Sequence, residues 1–208
     1  MAGEGEALRE SPRPRPRTQA ERRDETRTAL LEATVECLVT YGYANTTTGR
    51  IAELAGVSRG AQAPYFRTRA ELLGAAVTYL AEKRIAAAEA RFMDGPVSVE
   101  QALDLLWEEH QGPVFQAALE LWVASRTDPE LSIVMPEVER QVAQGITSVA
   151  EAAIGDLARR PGFADHLYFA LATISGLALF QISFGSSVDA LWAQARQRLA
   201  DGLSELSR

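Results

Sequence analysis

Ser58, Arg59, Gly60 and Gln62 fall within five consecutive positions, and their polar groups match the edges of nucleic-acid bases. An arginine fork fits O6 and N7 of guanine and a glutamine amide fits N6 and N7 of adenine, each good pair discriminating by roughly 1–3 kcal/mol. Gly60 contributes by lacking a side chain, which allows close backbone approach. Elsewhere reactive chemistry is sparse. Cys37 is the one cysteine, so an intrachain disulfide is excluded, and it lies on an apolar helical stripe where a structural thiol is the default. His110 and His166 are the two histidines, and neither has a cysteine at metal-ligand spacing. Phosphate-cradling loops, dinucleotide fingerprints and nucleophile-base pairs are missing from the sequence. No catalytic residue, metal or cofactor is therefore expected.

The elements that must position the Ser58 window read as helices. Residues 18–41 place Leu30, Ala33, Cys37, Leu38 and Tyr41 at helical spacing, with Thr18 and Glu21 at the capping-box offset and Gly42 as the stop. A short helix follows at 47–55 and another at 58–66, capped by Ser58, with Gly56 supplying the turn between them. Thr68 and Glu71 open a longer helix to about residue 92. Beyond the break at Asp94-Gly95-Pro96, helices are expected at 98–110, 113–127, 129–158, 161–184 and 187–206, with Pro136 forcing a restart or kink in the third. No stretch alternates long enough to make a strand. The expected fold is all-α with about nine helices, an N-terminal three-helix unit at 18–68 and a larger helical domain at 69–208.

Charge divides the same way. Against an overall formal charge of -7, residues 1–70 hold a surplus of two positive charges and the remainder a surplus of nine negative ones. A mildly basic head on an acidic body is the distribution expected when only the head meets a polyanion. Residues 1–17 alternate proline with arginine from Ser11 onward, reading as an extended, disordered arm, and they lack the apolar run of a secretory signal. A cytoplasmic location is expected. Residues 167–188 are free of formal charge and long enough to span a bilayer, yet six polar residues dilute them and no Lys or Arg cluster flanks them. They read instead as a helix buried on nearly its whole circumference, facing its own domain and a second subunit, with no membrane partner.

Residues 42–61, Gly-Tyr-Ala-Asn-Thr-Thr-Thr-Gly-Arg-Ile-Ala-Glu-Leu-Ala-Gly-Val-Ser-Arg-Gly-Ala, together with Phe66 and Thr68-Arg-Ala-Glu-Leu-Leu73, resemble the N-terminal signature of the TetR family of transcriptional regulators. The resemblance covers residues 20–80. It implies a helix-turn-helix in which Arg59, Gly60, Gln62 and Ala63 lie along the major groove while Thr47, Tyr65 and Arg69 contact phosphates. One departure stands out: Gln62-Ala63-Pro64-Tyr65 replaces the family's usual aromatic or histidine residues, and Pro64 removes a backbone donor. A spacing-only alternative is an αα corner in an all-helical adaptor that binds protein.

For the second domain, the resemblance implies homodimerisation and a pocket for an unknown small-molecule effector, so that the expected partners are a double-stranded DNA operator, that effector and a second copy. Release of a repressor by the effector is the implied function. Candidate pocket residues are Trp107, His110, Phe115, Glu120, Trp122, Met135, Phe169 and Gln181, which combine apolar walls with a few polar groups. Candidate interface residues are Ala170, Thr173, Ile174 and Leu177 on the penultimate helix and Leu191, Ala195 and Leu199 on the last, with intrachain core as the alternative.

Overall fold

The computed structural model describes residues 18–92, 95–185 and 187–206. The arginine-proline arm expected at 1–17 lies outside the described residues. Within them the chain forms eight α-helices and one short 3-10 helix, with no strand. The α-helices are α1 (Gln19–Asn45), α2 (Thr48–Leu54), α3 (Arg69–Arg91), α4 (Val99–His110), α5 (Pro113–Ser125), α6 (Pro129–Ile154), α7 (Phe163–Phe184) and α8 (Asp189–Glu205).

Most starts lie where the caps predict. Thr18 accepts from the Glu21 N–H at 3.2 Å and its own N–H donates to Glu21 at 2.6 Å, closing a capping box. Ser98 and Gln101 repeat the arrangement at α4. Gly42, at φ 71° and ψ 171°, bends the chain near the end of α1, a conformation that glycine adopts without steric cost. Residues 58–66 depart from expectation. They form overlapping turns in which Ala61, Ala63 and Tyr65 each donate to the carbonyl three residues back. Pro64 has no N–H to donate and disfavours the α region for Ala63 before it, which accounts for the loss of regular helix. At Pro136 the helix does not restart, since α6 runs on through it. The helix ends at Ile154 and gives way to the 3-10 turn Gly155–Arg159.

The largest core crosses the expected boundary between residues 68 and 69. Leu30, Leu31 and Leu38 of α1 and Ile51 of α2 are buried together with Leu72, Leu73 and Val77 of α3, Leu121 of α5 and Leu131 and Met135 of α6. At the centre, α3 and α6 run side by side in the same direction. A Cβ on Gly74 would lie 2.6 Å from Val134 Cγ1, and one on Gly145 would lie 2.2 Å from Ile85 Cδ1. Both glycines therefore set the close approach of these helices. A second core joins α4, α7 and α8 through Leu103, Ala170, Ile174, Trp192 and Leu199.

Candidate functional site

The α1-α2 corner and the turns after it present the expected base-reading residues on one surface. Thr47 caps α2, accepting from the Arg50 N–H at 3.2 Å. Ser58, Arg59, Gly60 and Ala63 are exposed. Arg59 makes no ion pair or hydrogen bond among the described residues, leaving its fork free for an external acceptor. Gln62 is half-buried and its Oε1 is enclosed without a partner. Tyr65 is half-buried against the core, 6.2 Å ring to ring from Phe66.

Arg69 turns inward. Its Nε donates to the Thr46 carbonyl at 2.7 Å, its Nη2 donates to the Tyr43 carbonyl at 2.5 Å, and its guanidinium lies 4.2 Å from the Tyr43 ring centroid. Tyr43 is also gripped from the other side. Its N–H donates to Glu120 Oε2 at 2.7 Å and its hydroxyl donates to Asp128. Asp128 caps α6 through the N–H groups of Glu130 and Leu131 at 3.0 and 3.1 Å. The Tyr43 hydroxyl bond, joined by these N–H groups, holds the Asp128 carboxyl below its ordinary pKa; burial and then that same bond push the Tyr43 phenol up.

Behind this corner, helices α3 to α8 line a partly open cavity of about 400 Å³. Of the expected pocket residues, His110, Phe115 and Trp122 line it. The other five serve elsewhere: Trp107 stacks on Trp192 at 4.9 Å, Glu120 holds Tyr43, Met135 sits in the main core, Phe169 is 63% exposed, and Gln181 encloses an unpartnered Oε1 away from the cavity. Sequence reasoning overlooked Arg84, Ile85, Glu109, Glu139, Val142 and Ile146 in the wall. Their signal is the apolar stripe of Ala81, Ile85 and Ala88 on α3 and of Val138, Val142, Ile146 and Val149 on α6, which looks the same for a wall as for a filled core.

His110 is 8% exposed, and its Nδ1 lies 2.7 Å from the Leu106 carbonyl. A carbonyl only accepts, so the proton belongs on Nδ1. Burial pulls the pKa of His110 below its ordinary value, with the Leu106 carbonyl and Glu109 partly opposing. Arg84 donates to both carboxylate oxygens of Glu109, from Nη2 at 2.9 Å and from Nε.

The expected interface residues divide into two groups. Ala170, Ile174, Leu177, Ala195 and Leu199 pack into the intrachain core of α4, α7 and α8, and Thr173 donates to the Phe169 carbonyl of its own helix. Leu191 is 54% exposed. Within the chain α7 is buried along one side, by Phe163, Ala170, Ile174 and Ala178. Its opposite side leaves Phe169, Phe180 and Phe184 each more than half exposed beside Leu179 and Ile182. The helix is long and apolar enough to cross a membrane by length and composition. Among the described residues, no group of three or more metal-ligating side chains forms.

Residues 30–76 match the model of the family described as bacterial regulatory proteins, tetR family. The chain is 32% identical over 192 residues to the HTH-type transcriptional regulator CymR of Pseudomonas putida, with 89% of each chain covered. A solved TetR transcription regulator from Haloarcula marismortui superimposes with a TM-score of 0.63 at 22% identity, covering 86% of this chain and 98% of the other. The transcriptional regulator FadR of Bacillus subtilis, solved with stearoyl-CoA, superimposes with a TM-score of 0.64 at 18% identity, covering 84% of this chain and 97% of the other.

Proposed function

The chain belongs to the TetR family and is a DNA-binding transcriptional regulator, and from that premise we propose that it acts as a homodimeric repressor released from its operator when a small molecule fills the cavity. The observation that carries this reading is Arg59, exposed and unpaired on the turns that follow the Thr47-capped corner. Ser58, Arg59, Gly60, Gln62 and Ala63 face the major groove in this reading, and Thr47 and Tyr65 contact flanking phosphates. Arg69 acts from behind, because its guanidinium is engaged with the carbonyls of Tyr43 and Thr46. Residues 18–68 thus read DNA and residues 69–208 bind effector and partner, in the cytoplasm and without catalysis.

A single recognition segment covers too few base pairs to select a genomic site, so two copies must read half-sites about one helical turn apart. The exposed apolar side of α7 favours a second copy as its cover. Effector action then requires that the cavity and the head share a mechanical element. Helices α5 and α6 meet that requirement, since they supply Phe115, Trp122 and Val142 to the cavity and Glu120 and Asp128 to Tyr43. Fluorescence anisotropy with operator and shuffled duplexes tests the reading: a preference for operator that Arg59→Ala erases supports it, and equal binding to both by the native protein overturns it.

A further inference from the structure

We infer that the cavity takes an uncharged, largely apolar molecule that donates one hydroxyl hydrogen bond to Nε2 of His110. This inference rests on the reading of the cavity as the effector site and names the chemical class of its ligand.

The wall argues for an apolar body. Leu106, Val114, Phe115, Val142, Ile146 and Leu171 are among its apolar lining residues, and a cavity of about 400 Å³ suits a compact organic molecule. Its charged groups argue against an anion. Arg84 is the one wall cation with a permanent charge, and both Glu109 oxygens already accept from it. Glu139 places a second carboxyl in the wall, its pKa raised by burial, and in either protonation state it supplies no positive charge to hold an anion. A cation meets the opposite difficulty. Glu139 already accepts from Trp122 Nε1 and its pKa is raised by burial, whereas the buried wall offers an imidazole, aromatic rings and aliphatic carbon but no free carboxylate. A cation carried inward exchanges its water for aromatic faces without an opposite charge.

His110 supplies the specific contact. With Nδ1–H committed to the Leu106 carbonyl, Nε2 is an acceptor that meets no donor among the described residues. Nε2 is not shut away among the enclosed atoms, so it accepts from whatever fills the cavity, and a ligand that brings an O–H gains over an equally apolar one that displaces water without replacing its hydrogen bond. His166, the other histidine of the wall, commits Nε2 to the Leu199 carbonyl at 2.9 Å and lays its ring on Gly202 of α8. Ser175 lies on the α7 side of the same cavity, and its hydroxyl suits an uncharged polar group as well.

The test is calorimetric titration of the full-length protein with five probes that share a butylphenyl body: 4-butylphenol, its methyl ether 4-butylanisole, butylbenzene, 4-butylbenzoate and (4-butylphenyl)trimethylammonium. The phenol should bind about tenfold tighter than the ether and butylbenzene, the worth of one hydrogen bond, and the two ions should bind weakest. His110→Phe keeps a ring against Phe115 and should abolish the phenol's advantage while leaving butylbenzene unchanged. Equal affinity for phenol and ether in the native protein, tighter binding of either ion, or no binding of the phenol overturns the inference, and the first comparison needs no variant to fold. If the phenol preference holds but the phenol fails to release operator DNA, the effector reading fails and the ligand class stands.

Discussion

The main-chain N–H of Tyr43 donates to Glu120 Oε2 at 2.7 Å, across 77 positions of sequence. The bond ties the corner that presents Thr47 to the helix that carries Phe115 and Trp122 into the cavity. Glu120→Ala removes the acceptor and should raise the hydrogen-exchange rate of the Tyr43 amide relative to its neighbours. Tyr43→Phe removes the bond to Asp128 alone and should lower stability by about 0.5–1.5 kcal/mol in a denaturant melt. Unchanged exchange in the first variant, with the fold intact, would show that the corner is held by other contacts.

Arg59 and Tyr65 should fail in different ways. Arg59→Ala should cost about 1–3 kcal/mol on the operator and relax one base position, because its free fork is positioned to read an edge. Tyr65→Phe should weaken binding to all duplexes alike, as loss of a phosphate contact does. Affinities for the operator and for every single-base substitution at one salt concentration distinguish the two. Parallel losses across all duplexes in both variants would remove Arg59 from the base-reading set.

Phe180 is 59% exposed on the outer side of α7. Phe180→Glu puts a charge into the proposed interface and should shift the protein from dimer to monomer in sedimentation, with helical content unchanged. Half-site spacing links dimerisation to operator affinity, so the same variant should bind operator far more weakly than native protein. A native protein already monomeric at micromolar concentration would contradict the assignment.

His110 gives stability a pH dependence of known sign. Burial lowers its pKa in the folded chain, so the unfolded chain binds the proton more readily. Stability is therefore full above the unfolded value of about 6.5 and declines as pH falls from there toward the lower folded value. Between about pH 7.5 and pH 5.5 the melting temperature of the native protein should fall more than that of His110→Phe. Identical pH dependences would exclude His110 as the cause.

Local signals carried most of the fold into the sequence. Thr18 with Glu21, Ser98 with Gln101, and Pro113 and Pro129 at first helical positions mark helix starts through groups a few residues apart, and the structure places the starts there. Pro64 is equally local, and its missing N–H foreshadows the irregular turns of 58–66. The pocket was less legible because it depends on which side of a helix meets which neighbour. Glu120 and Trp122 are two residues apart on α5, yet the first faces Tyr43 and the second faces the cavity. Leu199 and Ile174 have the spacing of an interface and are used as intrachain core, whereas the aromatic residues on the other side of α7 remain uncovered.

Sequence-specific recognition of DNA by a two-fold assembly underlies every role proposed for these residues. The most direct measurement is selection of bound duplexes from a random-sequence pool by the full-length protein, followed by anisotropy on the selected site across a salt series. A two-fold DNA reader should enrich an inverted repeat with half-sites about one helical turn apart and bind it with an affinity that falls steeply with salt as counterions are released. A pool that enriches no sequence, with binding that is weak and insensitive to salt, would contradict it.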